Sequence, residues 1–265
     1  MTSDSSAKRP AEGRVQSVER SVEILEALIT GPKTVTEVAR ATGLVGPTAL
    51  RLLRTLGHHG LVVRDDETGR YMLGPAWLRM LDGASESFGS IGMIAREPLQ
   101  RLATEANETA VVHARAGRDR ICVALAESQS PLRYAIKLGT LAPLHVGSTG
   151  KALLAFMEPE AADQLIAVLP LTRVTSETVT RRAELQRQLA EIRAQGWAYS
   201  FGERTPGAFG LSVPIRSADG LLLTVSVIGP GDVAAEGRQP QLLALLRTAA
   251  AEIERSLDRV VNASW

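Results

Sequence analysis

From residue 15 onward the chain places apolar residues at three- and four-residue steps, the spacing that aligns one face of an α-helix. Val15, Val18, Val22, Leu25 and Leu28 or Ile29 form the first such stripe and predict a helix with that face buried. Gly31-Pro32 ends it, because glycine accepts a left-handed cap and proline cannot continue a helix. Thr34-Val35-Thr36-Glu37 then has the form of a capping box, and the short helix it opens is expected to bury Val38 and Ala41 before Gly43. A third helix opens at Gly46-Pro47, where proline is tolerated in the first turn. Its inner face is Ala49, Leu52, Leu53 and Leu56. At about 100° per residue, Pro47, Arg51, Arg54 and His58 fall on the opposite side, flanked by Thr48 and Thr55.

Two short extended runs follow, Leu61-Val62-Val63-Arg64 and Tyr71-Met72-Leu73, joined by a polar, glycine-containing turn. They predict a β-hairpin. Three helices with a tight second connection, then a hairpin, make a winged helix-turn-helix over residues 15–74. Its third helix suits a major groove, and its hairpin suits the adjacent backbone. Between residues 45 and 64 the charged groups are Arg51, Arg54 and Arg64, with no carboxylate. Guanidinium groups so placed displace counterions from phosphates or pair bidentately with guanine. The same residues also fit a helical protein-interaction module with no DNA binding and a solvated arginine face.

Pro75 starts another helical stretch in which Trp77, Leu78 and Leu81 are too apolar for a simple linker and are expected to pack on a neighbour, such as the same helix of another chain. Residues 75–90 form a helical linker, with the domain boundary in the soft stretch 83–90. From 91 to 265 the pattern is mixed. A helix is expected at 95–106, strands at 110–115, 121–125 and 132–138, and helices at 150–157, 159–168 and 182–195. Strands at 197–201, 209–215 and 221–228 precede a long helix from 238 to 261. Hairpins with helices clustered between them imply an α+β domain, a mostly antiparallel sheet with packed helices.

Composition supports this division. A chain of 265 residues is long enough for two ordinary domains, and 45% hydrophobic residues suffice for a core in each, leaving disorder to an arm at 1–14. Cys122 is the only thiol, and His58, His59, His113 and His145 lack metal-ligand spacing, so neither a disulfide framework nor a metal or other cofactor is expected. No apolar run approaches the roughly 18 residues of a membrane span. The polar start lacks the apolar segment of a signal peptide, and a cytoplasmic protein without membrane contact is expected. The net charge of +1 excludes a uniformly basic chain, so any nucleic-acid face must be local.

Ser148-Thr149-Gly150-Lys151 has the S-x-x-K form of a serine hydrolase, with Ser148 as nucleophile and Lys151 as its activator. The companion S-D-N and K-T-G elements are missing, Lys137-Leu138-Gly139 being a poor imitation. A phosphate-binding loop would need glycine at His145 and a hydroxyl at Ala152. What the segment does offer is free backbone N–H groups at a positive helix end, an anion site suited to a small carboxylate. An ordinary helix capped by Ser148 or Thr149 fits equally well. Arg133 and Lys137 share one face of the expected strand and read as solvated, His113 and His145 as structural histidines, and Cys122 as core.

Val15-Gln16-Ser17-Val18-Glu19-Arg20, Thr36-Glu37-Val38-Ala39, Arg51-Leu52-Leu53-Arg54-Thr55-Leu56 and Gly69-Arg70-Tyr71-Met72-Leu73-Gly74 resemble, in order and spacing, the DNA-binding domain of the IclR family of bacterial transcription regulators. The likeness continues through Pro143-Leu144-His145, Gly150-Lys151-Ala152-Leu153-Leu154-Ala155, Gly207 with Val213-Pro214-Ile215, and Gly229-Pro230. Gly46-Pro47 departs from it, standing where members usually carry a basic or small polar residue and a serine. The resemblance implies a ligand-responsive regulator of a catabolic or metabolic operon, with a GAF-like effector-binding domain. It would bind pseudo-palindromic double-stranded operator DNA as a homodimer, or as a tetramer paired through effector domains. The expected DNA contacts are Thr36, Pro47, Thr48, Arg51, Arg54, Thr55, Arg64 and Arg70. Backbone donors at Ser148 and Thr149 would hold an effector carboxylate, with Ser200, Gly210, Ser226 and Ile228 at the family's other pocket positions. Ser200 is neutral, Gly210 has no side chain and Ile228 is apolar, and Tyr134, Trp197 or Tyr199 is available as a wall. That composition favours an aromatic or short-chain organic acid over glyoxylate or pyruvate. Tyr134 and Trp197 fit simple packing equally well.

Overall fold

The computed structural model describes residues 15–84, 90–218, 220–233 and 237–263; the expected arm at 1–14 and the centre of the expected boundary stretch, 85–89, lie outside the described residues. The chain divides into two units, residues 1–87 and 88–265.

The first unit runs α1 (Gln16–Ile29), α2 (Val35–Thr42), α3 (Gly46–His58), β1 (Val62–Arg64), β2 (Tyr71–Leu73) and α4 (Ala76–Ala84). The capping box forms: Thr34 N donates to Glu37 Oε2 at 2.7 Å, and Glu37 N donates to Thr34 Oγ1 at 3.3 Å. Gly43 ends α2 at φ +67°, a left-handed conformation natural to glycine. Val38, Ala49, Leu53, Leu56 and Val62 join Ile24 and Leu28 in the core.

The first helix corrects the expected burial. Ile24 and Leu28 face the core, whereas Val15, Val18, Val22 and Ile29 are exposed and Leu25 is partly buried. At about 100° per residue the two stripes lie roughly a third of a turn apart. Their periodicity is the same, so spacing alone does not say which stripe meets the unit's own core. Ala41 is likewise exposed, because eight-residue α2 turns Val38 into the core, with Val35 and Ala39 packed beside it, and leaves Ala41 on its outer side. Trp77 is half-buried on its own unit, its indole N–H donating to Leu61 O at 2.9 Å, while Leu78 and Met80 of α4 are exposed. The side chain of Leu81 lies outside the described residues. In the wing, β1 and β2 pair antiparallel with Val62 opposite Leu73, and Lys33 bridges to Tyr71. Asp65 Oδ1 accepts from Thr68 N and from Glu67 N in the turn, and these bonds, that of Thr68 foremost, hold its carboxyl below the usual range.

The second unit runs α5 (Ser90–Ala106), β3 (Thr109–Ala116), β4 (Asp119–Ala126), β5 (Leu141–Pro143), α6 (Gly147–Phe156), α7 (Pro159–Val168), α8 (Arg182–Gln195), β6 (Ala198–Phe201), β7 (Ala208–Arg216), β8 (Leu222–Pro230) and α9 (Gln239–Ala263). The strands form one antiparallel sheet in the order β5-β4-β3-β8-β7-β6. This is the expected α+β architecture. Strand alternation sorts side chains between its faces. Phe209, Leu211, Val213 and Ile215 of β7 and Leu223, Val225 and Val227 of β8 pack with Leu99 and Leu102 of α5 and Leu246 and Ile253 of α9. Leu153 and Leu154 of α6 build a second core with Ile166 of α7, Leu185 and Leu189 of α8, and Ala198 of β6.

Residues 132–138 are not a strand, despite their alternation. Their backbone is held elsewhere, with Thr109 Oγ1 donating to Tyr134 O, and the edge of β4 is taken by Thr140 O and by Leu141 of β5. Arg133 and Lys137 are exposed on this irregular segment and share no strand face. Among the described residues, no helix is long and apolar enough to cross a membrane.

Candidate functional site

In the first unit, α3 buries Ala49, Leu52, Leu53 and Leu56 and thereby turns Pro47, Arg51, Arg54 and Thr55 outward, all exposed, with Thr48 half-buried. The helix contains no acidic residue. Thr36 is exposed in the first turn of α2, and Arg64 is exposed at the end of β1. A Cβ placed on Gly69 would stand 3.3 Å from Arg64 Nη2, so the guanidinium folds over the wing turn. Arg70 is employed differently. Its Nη1 donates to Pro32 O at 3.0 Å and to Glu37 Oε2 at 3.1 Å, tying the wing to α2. Thr55 Oγ1 donates to Arg51 O within the helix.

In the second unit, the first turn of α6 meets the sheet at β7 and β8. Tyr134, Ser148, Thr149, Ser200, Gly210 and Ile228 line one cavity of about 30 Å³, room for about one water molecule. Ser226 lies behind that lining in a buried hydroxyl cluster. Ser148 Oγ shares a hydrogen bond with Ser212 Oγ at 2.8 Å, Ser212 Oγ with Ser226 Oγ at 2.7 Å, and Thr149 Oγ1 with Ser226 Oγ at 3.1 Å. Trp197 and Tyr199 are not at this cavity; they line a separate groove beside α8, and Tyr199 donates to Asp232 Oδ1. Both lie at odd-numbered positions of the 197–201 run, and strand alternation turns them away from the face that carries Ser200.

The positive end of α6 is satisfied from within the chain. Gly147 N donates to Glu203 Oε2 at 2.8 Å, and Ser148 N donates to Ser200 Oγ at 2.8 Å. Lys151, buried, pairs with Glu203 Oε1 and donates to Gln188 Oε1 at 2.9 Å. The Ser148 hydroxyl is bonded to Ser212 and the Lys151 ammonium to Glu203 and Gln188, so the S-x-x-K pair does not form a nucleophile–base contact. Gly210 makes the close approach of α6 possible, since a Cβ there would stand 2.6 Å from Ser148 Oγ.

Sequence reasoning missed Arg120, Glu203, Arg204 and Thr205, which also line the cavity. Arg120 had a signal. It stands two residues before Cys122 on one hairpin strand, and so on the same sheet face. Burial, then repulsion from Arg204, lowers its pKa to about 9. Burial, then the charges of Arg120 and Arg204, holds His113 well below the usual histidine range, so it is neutral. Burial pushes the Cys122 thiol up to about 11. His145 Nε2 donates to Thr172 O at 3.0 Å. Among the described residues no cluster of side chains is arranged to hold a metal ion.

Residues 17–66 match the IclR helix-turn-helix domain, and residues 89–255 match the bacterial transcriptional regulator IclR C-terminal domain. The HTH-type transcriptional regulator BhcR of Paracoccus denitrificans is 31% identical over 220 residues, covering 82% of this chain and 78% of that one. The crystal structure of Thermotoga maritima IclR superposes with a TM-score of 0.75 at 24% identity, covering 92% of this chain and all of that one. An IclR homologue from Microbacterium hydrocarbonoxydans, complexed with 4-hydroxybenzoate, superposes with a TM-score of 0.71 at 24% identity, covering 91% of this chain and 99% of that one. With both domains matched in order over most of its length, the chain belongs to the IclR family of bacterial transcriptional regulators.

Proposed function

We propose that this regulator reads double-stranded operator DNA with α3 and the wing, and that a small organic acid bound in the second unit sets its occupancy of that DNA. The observation that carries the first half is the outward face of α3, where Arg51 and Arg54 stand exposed with no acid on the helix. Thr36, Pro47, Thr48, Thr55 and Arg64 surround them as further contacts, and Arg70 acts by holding the wing against α2. The cavity at the α6 end supports the second half, because polar groups converge there beside Ile228 and Tyr134. The 4-hydroxybenzoate in the Microbacterium homologue is consistent with an aromatic acid. The cavity's small volume implies that it widens to admit such a ligand.

One winged helix makes few base contacts, so a homodimer on a pseudo-palindrome is the functional unit, with further pairing through the second unit giving a tetramer. The exposed stripe Val15, Val18, Val22 and Ile29 provides an apolar surface for a second copy. The protein works in the cytoplasm and without catalytic turnover, Ser148 and Lys151 being committed to separate hydrogen-bond partners. The test is a gel-shift at fixed salt on DNA from the regions flanking its gene, with and without benzoate and 4-hydroxybenzoate. Binding that responds to an acid supports the proposal, and no binding to any flanking fragment overturns it.

A further inference from the structure

Arg120 is 3% exposed, yet among the described residues no carboxylate pairs with it. Its Nη1 donates to Pro143 O and to Val146 O, both at 2.7 Å, and its buried Nε has no partner. These carbonyls and the missing side chain of Gly150 seat the guanidinium against α6, since a Cβ at Gly150 would stand 2.9 Å from Arg120 Nη1. Nη2 lies toward Gly147, whose added Cβ would stand 3.8 Å from it. Arg204, half-buried on the same cavity, also has no ion-pair partner among the described residues. The cavity's own carboxylate, Glu203, is already matched by Lys151. A buried cation without a direct ion pair is costly, and a site that keeps one beside a second, half-buried guanidinium is built to receive negative charge.

Resting on the reading that this cavity binds an organic acid, we propose that its ligand is a small dianion, a dicarboxylate whose acidic groups are set against Arg120 and Arg204. Two guanidinium groups beyond the neutralised Lys151–Glu203 pair ask for two negative charges. Ile228 and the ring of Tyr134 supply an apolar wall for the carbon skeleton between them. Each charge-assisted contact in such a place is stronger than a neutral one. Neither arginine belongs to the hydroxyl and backbone set at Ser148, Thr149 and Ser226, which leaves that set to orient the ligand and these cations to select its charge.

The experiment compares matched acids on the full-length protein by thermal shift and calorimetry: terephthalate against benzoate, and malonate against acetate. The diacid of each pair that binds should bind about tenfold more tightly than its monoacid, and high salt should erode the difference. Arg120→Met and Arg204→Gln should each abolish the preference while DNA binding by the first unit persists. Equal binding of monoacids and diacids overturns the dianion and leaves the organic-acid reading standing. No shift with any acid overturns both. A diacid preference that survives in Arg204→Gln overturns the proposal even where Arg120→Met fails to fold.

Discussion

The hydroxyl of Ser148 and the backbone of Gly210 meet so closely that a single added carbon on Gly210 would stand 2.6 Å from Ser148 Oγ. Gly210 lies on β7 between Leu211 and Phe209, both of which face the opposite core, so the position itself is fixed. Its lack of a side chain lets the first turn of α6 sit on the sheet and bring Ser148 within 2.8 Å of Ser212. Gly210→Val is therefore expected to push α6 outward, break the hydroxyl cluster and cost about 1–3 kcal/mol, in line with other overpacked sites. Gly210→Ala should show a smaller loss. Equilibrium urea denaturation measures both, and a Gly210→Val protein of unchanged stability would contradict the close approach.

Arg51 and Arg54 project from α3 on the side opposite its buried leucines. Replacing either with alanine removes no core contact, so the melting temperature should stay where it is. Affinity for operator DNA should fall roughly 5- to 100-fold for an arginine that reads a guanine. One that touches only phosphate should weaken all sequences alike and flatten the salt dependence by about one counterion. Gel-shifts over a salt series separate the two cases. Arg70→Ala should instead lower stability as well as affinity, because Arg70 ties the wing to α2 through Glu37 and Pro32 O.

What could be read from the chain beforehand follows from how local each signal is. The capping box at Thr34 and Glu37, the Gly43 stop and the bounds of α7 and α8 depend on residues within one turn of each other, and they form as the spacing predicts. The face of α1 was not legible, because Val18 and Val22 repeat with the same period as Ile24 and Leu28 and only the tertiary partner distinguishes them. The strand expected over 132–138 failed for a related reason. Its alternation is real, but β5 and Thr140 occupy the β4 edge. At the cavity, six residues named from the sequence converge, whereas Glu203 and Arg204 lie in a loop with no motif of their own and Arg120 carries only its place on the Cys122 side of its strand.

The exposed α1 stripe leads to a further expectation. Val18 and Val22 are 58% and 47% exposed on a helix whose core contacts are made by other residues. Val22→Lys should thus leave the unit folded and place a charge in the surface assigned to a second copy. Sedimentation velocity should show a smaller assembly than wild type, and operator binding should weaken through loss of simultaneous half-site contacts. An unchanged sedimentation coefficient would move the pairing surface away from this stripe.

His113 lies in β3 across from Cys122 of β4 and Thr224 of β8, with the charges of Arg120 and Arg204 nearby. It is 1% exposed, and its Nδ1 has no hydrogen-bond partner. Burial and the two cations favour the neutral ring, so its folded pKa is below the unfolded value of about 6.5. Above that pH neither state carries the proton, and His113 makes stability independent of pH. As pH falls below it, the unfolded chain takes up a proton that the native state refuses, and stability declines by up to about 1.4 kcal/mol per pH unit. Carboxylates elsewhere also titrate in acid, so the informative quantity is the difference from His113→Gln. Wild type should lose stability faster than this variant between pH 7 and pH 5, by urea denaturation at each pH. Parallel curves for the two proteins would mean that His113 accepts a proton in the native state, contrary to its burial beside two guanidinium groups.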